Sequence, residues 1–383
     1  MKSAARLEKR GFEDPGLREF IQEQPGHSEW PPTNWDFASL TLVAFYYHPS
    51  LDVSRAQWAT ARAAEKTAAG RKNPVLTLVP GMSVNPPQGL SPWIPLGSVD
   101  LPIETAGKRK KRQEQAGYLS ESTRLNIQTA AWQVRSNLRS ALLEWRFQQQ
   151  RLELLDRQLA LQGQIVQLLE QRLAAGAASP FEVTTARAAR LRIEADAADA
   201  RQRFAAAQVL LADSLGVTTL ALSSIEIAAS EPAMALNSEK LMSSQARELA
   251  LQARSDIRAA LAEYAASEAA LRLEIARQYP DLHFNPGYQF DEGEHKWTLG
   301  LSLELPMLNR NEGPIAEAEA RRREVAARFE ALQAKVITEI DSAAKSFRAL
   351  SEQSKRNQTL LELQRRQEAA LQTALTAGGA DRL

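Results

Sequence analysis

Three short landmarks occur twice in this chain, in the same order and at nearly constant spacing. The pairs are Asn73-Pro74-Val75-Leu76 with Tyr279-Pro280-Asp281-Leu282, Leu101-Pro102 with Leu305-Pro306, and Leu173-Ala174-Ala175-Gly176 with Leu375-Thr376-Ala377-Gly378. Their members are 206, 204 and 202 positions apart, respectively. A duplication that covers most of a chain determines its architecture, because both copies fold in the same way. We therefore expect one structural unit that is used twice.

The second copy contains the clearest strand pattern. Apolar and polar side chains alternate along residues 280–290 and again along 296–305, which predicts a pair of strands. The polar segment between them contains Gly293 and fits the tip of a hairpin.

The first copy has weaker counterparts of these strands at 74–84 and 93–101. Pro80 and Pro95 interrupt them, and Pro favours edge strands or bulges. The predicted organisation is an N-terminal extension (1–35), a first repeat (36–216) with a long helical hairpin at 104–215, a linker (217–236), and a second repeat (237–383) with a long helix from 311.

The long helix of the first repeat carries a heptad pattern sustained for about six heptads. Its positions, alternately three and four residues apart, are Val134, Leu138, Ala141, Trp145, Gln148, Leu152, Leu155, Leu159, Gln162, Val166, Leu169 and Leu173. A second stripe on another side of the helix consists of Phe147, Leu154, Leu161 and Leu168. Two stripes on one helix indicate neighbouring helices on both sides.

A chain reversal is predicted directly after this helix. Gly176 is placed as the helix stop, Ser179 as the N-cap of the return helix, and Pro180 as its first residue. A mere helix reversal and a surface for a partner explain these residues equally well.

The strands are about ten residues long, which matches tilted membrane-spanning strands. Half-buried strands of a soluble ribbon alternate in the same way, so the pattern alone leaves both interpretations open. Open sheet edges are not tolerated in lipid, and four strands are too few to close a barrel. A membrane interpretation therefore requires several copies, and three would supply twelve strands.

The composition excludes several classes of function. The chain has 47 Lys and Arg against 46 Asp and Glu, whereas nucleic-acid binders usually carry a basic excess. It has no Cys, which removes disulfides, thiolate metal sites and Cys nucleophiles. The four His residues are isolated, and Gly107-Lys108 lacks the flanking residues of a phosphate-binding loop. We expect no enzymatic activity, no cofactor, no metal site and no nucleic-acid partner.

Five cations, Lys108 to Arg112, lie near the start of the long helix. Positive charge is unfavourable there because of the helix dipole, so we expect something to offset it. A solvated helix face is one interpretation. Contact with lipid phosphates, or a position at a tunnel mouth, is the other.

Together these features resemble the TolC-like outer membrane efflux proteins. The resemblance covers roughly residues 36 to 383 and rests on the duplicated order of elements, on Leu101-Pro102 followed by Gly107-Lys108-Arg109 and Arg112, on Leu305-Pro306 followed by Asn309-Arg310-Asn311-Glu312-Gly313, and on the turns at Gly176 and Gly378. The Gly-Lys-Arg element is similar to the CzcC-like heavy-metal branch of this family.

The resemblance implies a mainly α-helical fold in which a homotrimer forms a 12-strand β-barrel in the outer membrane and an α-helical tunnel across the periplasm. It implies a passive duct for cations or drugs, served by a periplasmic adaptor protein and an inner-membrane pump. The alternative is a soluble or periplasmic coiled-coil scaffold or adaptor. A scaffold would leave the strands without a purpose, and an adaptor would need a single hairpin flanked by β-rich domains.

Four groups of functional residues follow from the strand pattern and the resemblance. Lipid-facing positions are Phe284, Tyr288, Phe290, Trp297, Leu299 and Leu301. Lumen-facing positions are His283, Asn285, Gln289, Thr298 and Ser302. The junction between barrel and helices consists of Pro102, Gly107, Lys108, Arg109, Pro306, Asn309 and Arg310. The tips that contact the adaptor contain Arg172, Leu173, Gly176, Ser179, Leu375 and Gly378.

Two features depart from the family. Residues 1–32 contain no apolar core of the kind that an export signal requires. The second repeat stops at Leu383, opposite Phe181 of the first, so the duplication predicts a further ~35 residues of helix beyond it.

Overall fold

The computed structural model describes residues 7–24, 30–32, 34–86, 88–228 and 244–377. The helices are α1 (Pro15–Gln22), α2 (Phe37–Tyr47), α3 (Pro49–Ala69), α4 (Lys108–Ala174), α5 (Pro180–Leu215), α6 (Thr219–Leu222), α7 (Ser244–Ala253), α8 (Ser255–Ala276) and α9 (Glu312–Thr376). The strands are β1 (Val75–Met82), β2 (Trp93–Ile103), β3 (Leu282–Asp291) and β4 (Glu294–Leu303). A mainly helical chain with a small sheet agrees with the predicted fold class.

The chain divides into two compact units. The first consists of residues 1–58 and 126–233, and the second of residues 59–125 and 234–383. Among the described residues, no helix combines the length and the apolar character needed to cross a bilayer.

The first unit has an apolar core to which the N-terminal segment contributes. Leu17 and Ile21 of α1 are buried, with exposed fractions of 0% and 1%, in one cluster with Val43, Leu138 and Leu215. Burying one such side chain contributes about 1.5–3 kcal/mol. Residues assigned to an N-terminal extension from the sequence therefore form part of this core.

The two stripes of α4 have different surroundings. Residues Val134, Leu138 and Val166 of the first stripe are at most 4% exposed, and Val166 packs with Val183 of α5. The second stripe is open: the exposed fractions are 57% at Phe147, 63% at Leu154, 60% at Leu161 and 38% at Leu168. Of the two predicted seams, only the first is filled within the described part of the chain.

The turn between α4 and α5 has the predicted chemistry. Gly176 has a φ of +74°, which a residue with a side chain rarely adopts. The Ser179 hydroxyl accepts a hydrogen bond from the Glu182 amide at 3.2 Å, and the Glu182 carboxylate accepts one from the Ser179 amide at 2.6 Å. This reciprocal capping box, followed by Pro180 at the first helical position, starts α5.

The second unit contains an antiparallel sheet in the order β1-β2-β3-β4. The β3–β4 hairpin closes at Glu292 and Gly293, which both have positive φ angles. The β2–β3 ladder skips two steps, Val99 with Pro286 and Asp100 with Asn285, and Pro286 has no amide hydrogen to donate. Each outer strand, β1 and β4, has a single strand partner among the described residues.

Helices α8 and α9 pack against each other in the second unit. Buried alanines of α8, including Ala259, Ala266 and Ala269, permit close approach of the two helices. At the start of α8, Arg254 pairs with Asp256 at 2.7 Å and with Glu339 of α9 at 3.0 Å.

Candidate functional site

Strand pairing separates the two predicted sets of strand residues onto opposite faces of the sheet. Directly opposite residues of an antiparallel pair share a face. Phe284 lies opposite Leu301 and Tyr288 opposite Trp297, whereas His283 lies opposite Ser302. One face carries Phe284, Tyr288, Phe290, Trp297, Leu299 and Leu301. The other carries His283, Asn285, Gln289, Thr298 and Ser302.

The apolar face continues across the first two strands and is uncovered. Leu101 of β2 lies opposite Phe284, and Leu76 and Leu78 of β1 fall on the same face by their pairing. The exposed fractions are 70% at Leu78, 80% at Trp297, 71% at Leu299 and 64% at Leu301. A contiguous exposed apolar face of this extent marks a surface that another phase or molecule covers.

Aromatic side chains cluster at the hairpin end of this face. The Tyr288 and Trp297 rings have centroids 4.9 Å apart, and Phe290 lies 5.2 Å from His295. The Tyr288 hydroxyl and His295 Nδ1 are 2.6 Å apart and share a hydrogen bond. The apolar face therefore ends in a band of rings with polar atoms.

On the polar face, side-chain contacts join three strands. His283 Nδ1 lies 2.9 Å from a carboxylate oxygen of Asp100 in β2, and Asn285 donates a hydrogen bond to Ser302 at 3.1 Å. Asp100 was missed by sequence reasoning because β2 has a weak alternation. The alternation along β2 could have identified it, since Asp100 lies two residues after Ser98 and therefore on the same face of the strand.

Lys108 at the start of α4 is buried in an ion cluster. It is 8% exposed, and its ammonium donates to the Tyr279 carbonyl at 2.5 Å and to Asp281 Oδ1 at 2.6 Å. Lys72 donates to the other Asp281 oxygen at 2.7 Å. Burial raises the pKa of Asp281, but hydrogen bonds from Lys108, Lys72 and the Thr105 amide outweigh it and lower that pKa to about 2.

The solvated-face interpretation of the five cations is thus wrong for three of them. Besides Lys108, Arg109 donates to the Ala69 carbonyl at 2.7 Å, and Arg112 forms an ion pair with Glu104. Lys110 alone of the five has a largely exposed side chain, at 82%. The carboxylates of Glu104 and Asp281 supply the expected offset to positive charge at this helix start.

The second junction is held by side-chain amides, one of which, Asn311, donates to the Glu274 carboxylate at 3.1 Å. Asn309 accepts a hydrogen bond from the Asn311 amide at 2.9 Å, and Gln278 donates to the Arg310 carbonyl at 3.0 Å. Asn311 has a φ of +61°, and Gly107, 204 positions earlier, has a φ of +67°. The same backbone bend precedes both long helices. Pro102 pairs with His283 in the sheet, whereas Pro306 follows the end of β4.

The first predicted tip is an ordered turn. The Arg172 carbonyl accepts from the Ala177 amide at 2.7 Å, and the Leu173 side chain packs on the cluster around Val166. Of the second tip, Leu375 lies in the last turn of α9. Gly378 is outside the described residues.

The structure brings together few groups with chemical reactivity. In the ranges that it describes, no three His, Cys, Asp or Glu side chains are placed to hold a metal ion. Besides Asp100, sequence reasoning missed Lys72, Glu104 and Asp281, which serve the junction. Lys72 and Asp281 pair across 209 positions, which no local pattern signals, whereas Glu104 pairs with Arg112 eight positions later.

No family profile matches the chain. Over 230 residues it is 27% identical to the cobalt-zinc-cadmium resistance protein CzcC of Cupriavidus metallidurans, which corresponds to 57% of this chain and 52% of that protein. The chain thus spans about half the length of this curated relative.

Solved structures show the same fold. The outer membrane protein VceC of Vibrio cholerae superposes with a TM-score of 0.70 at 22% identity, over 90% of this chain and 86% of VceC. The outer membrane channel CmeC of Campylobacter jejuni gives a TM-score of 0.72 at 13% identity, over 90% of this chain and 78% of CmeC. The chain has the fold of these outer membrane channels.

Proposed function

We propose that this chain, which has the fold of the TolC-like outer membrane efflux proteins, forms the outer membrane duct of a tripartite efflux system. The observation that carries the proposal is the sheet, which has one exposed apolar face, one polar face and two outer strands that each pair on one side only within the described residues. Such a sheet is unfavourable in water because large apolar side chains stay hydrated. In lipid the apolar face is stabilised, provided that the edges are paired.

Pairing the edges requires further copies. Three copies would supply twelve strands, an even number within the range of closed outer membrane barrels. The open stripe of Phe147, Leu154 and Leu161 on α4 supports the same conclusion, because it offers an apolar seam to a helix of another copy. We therefore propose a homotrimer.

The sheet's two faces would have different solvents. Leu299 and Leu301 would face lipid, while Asn285 and Ser302 would face a water-filled lumen. The band of rings around Tyr288 fits the aromatic girdle found where such barrels meet the interface. The helices would extend the duct into the periplasm.

The duct would be passive, with no catalytic step. Solutes would move through the lumen while an inner-membrane pump supplies the energy, and the tip around Gly176 and Ser179 would dock a periplasmic adaptor. The name of the relative CzcC favours metal cations as cargo. A soluble scaffold or adaptor is disfavoured because neither role covers the apolar sheet face.

Reconstitution tests this proposal. The chain is purified in detergent, its mass is measured by light scattering, and it is added to a planar lipid bilayer. We expect particles of three chains and stepwise increases in conductance. A stable monomer, freely dissolved and without affinity for bilayers, would overturn the proposal.

A further inference from the structure

We propose that neighbouring copies join β4 of one to β1 of the next in one defined register, with Leu305 opposite Leu78 and Met307 opposite Leu76 of the neighbouring copy. This inference rests on the proposed assembly and adds its residue-level geometry. It follows from the internal duplication, because a repeated unit that pairs with its copy within the chain can pair in the same way between chains.

The repeat offsets hold in the observed hairpins. Adding 206 to a β1 residue and 204 to its β2 partner converts seven of the eight β1–β2 pairs into β3–β4 pairs. Leu76 lies opposite Val99, and the corresponding Leu282 lies opposite Leu303. Likewise, Met82 lies opposite Trp93, and Tyr288 lies opposite Trp297. The offsets are therefore a property of the structure as well as of the sequence.

The contact between the repeats supplies the register. Within the chain, β2 pairs with β3 so that Leu101 lies opposite Phe284 and Ile103 opposite Leu282. The counterpart of β2 is β4, and the counterpart of β3 is β1. Adding 204 to Leu101 and Ile103 gives Leu305 and Met307. Subtracting 206 from Phe284 and Leu282 gives Leu78 and Leu76.

The faces of the sheet provide an independent check. In this register Leu301 lies opposite Met82 of the neighbouring copy, and both belong to the apolar face. A shift by one residue would bring Leu305 opposite Thr77 or Val79, whose side chains belong to the other face of the sheet. The register was derived without reference to hydrophobicity, and it keeps the apolar face continuous across the seam.

The end of β4 provides a second check. Strand β2 continues to Ile103 because β3 pairs with it there, whereas β4 ends at Leu303, four residues before the counterpart of Ile103. Leu305 and Met307 are 65% and 78% exposed. We infer that residues 304–307 become strand when β1 of the next copy pairs with them.

The two kinds of seam differ in charge. Within the chain, Lys108 and Asp281 form an ion pair beside the β2–β3 seam. Their counterparts are Glu312 and Val75, which have no opposite charges. The seam between copies therefore depends on backbone pairing and apolar contact.

Disulfide trapping tests the register, since the chain has no Cys of its own. The test variant combines Leu305→Cys with Leu78→Cys, and the matched control combines Leu305→Cys with Val79→Cys, which faces the other side of the sheet. A second control, Leu101→Cys with Phe284→Cys, links two residues observed opposite each other in one chain. Opposite Cβ atoms lie at a distance that a disulfide spans, and those on opposite faces do not.

Each variant is assembled in detergent, its mass is measured, and it is run on a non-reducing gel after mild oxidation. We expect linked trimers from the test pair, with at least roughly tenfold less linked product from the Val79 control. The Leu101 control should remain a single chain. Assembled trimers that link equally or better through Val79 would overturn the register and leave the proposed duct intact. A protein that stays monomeric would overturn both.

Discussion

The ammonium of Lys108 lies 2.6 Å from a carboxylate oxygen of Asp281, which is 173 positions later in the chain. A cation in the first turn of a helix is normally destabilising. Here it is stabilised by the carboxylate and by the Tyr279 carbonyl, so the start of α4 is tied to the segment that precedes β3.

The stability of the second unit should decrease at acidic pH because of Asp281. Its pKa falls from 3.8 to about 2 on folding, so the carboxylate stabilises the fold above about pH 4, and this is lost as the pH falls through 2. The full contribution is at most about 2 kcal/mol. Circular dichroism at a series of pH values measures it.

Asp281→Asn should remove the contribution of this carboxylate to the free energy of unfolding at pH 7. It should also flatten the dependence of that free energy on pH between 4 and 2. Asp52→Asn, which affects an exposed pair with Arg55, is the matched control and should leave the profile unchanged. An Asp281→Asn protein with the wild-type profile would contradict the assignment.

Lys108→Met should destabilise the fold by about 2 kcal/mol, because Asp281 keeps only Lys72 as an ionic partner. Lys110→Met makes the same change two residues later, on a side chain that is 82% exposed. It should change the free energy of unfolding by less than about 0.5 kcal/mol. Denaturant unfolding compares the two, and equal effects would show that burial of Lys108 is unimportant.

Leu301→Arg should prevent insertion into membranes, whereas the neighbouring Ser302→Arg should be tolerated. The two side chains lie on opposite faces of the sheet, and Arg on a lipid face costs about 2–4 kcal/mol near the bilayer midplane. The readout is flotation of the protein with liposomes. Equal insertion of both variants would refute the orientation.

Gly176→Ala and Gly163→Ala should have effects of opposite sign. Gly176 has a φ of +74°, and an alanine there costs about 1–2 kcal/mol although the space is open. Gly163 lies within α4, also with open space, and alanine should stabilise the helix by about 0.5–1 kcal/mol. Thermal unfolding distinguishes them. A stabilising Gly176→Ala would mean that the turn relaxes.

The sequence was informative where the pattern is local. Alternation along β3 and β4 predicted both strands, and the residues around Gly176 predicted the turn, because each depends on neighbours within a few positions. The fold expected from the resemblance agrees with the fold of the outer membrane channels VceC and CmeC.

The sequence patterns did not predict the contacts between residues that are distant in the chain. Nothing near Lys108 indicates that its partner is Asp281, and the burial of Leu17 and Ile21 depends on helices that are distant in the chain. Pro80 and Pro95 lowered the expectation of strands at β1 and β2, yet both strands form and the two prolines lie directly opposite each other. These features arise from tertiary contacts.

Gly107 and Asn311 both have positive φ angles immediately before the two long helices, and in the first copy Ala106 shares the bend with a φ of +53°. A long helix keeps the direction that is set where it begins. The backbone torsion angles just before its first turn therefore determine where every later side chain points. A change in these torsion angles would rotate the whole helix and, with it, every row of side chains along it. A β-branched residue at either position, which rarely adopts a positive φ angle, would therefore change the direction of a whole long helix.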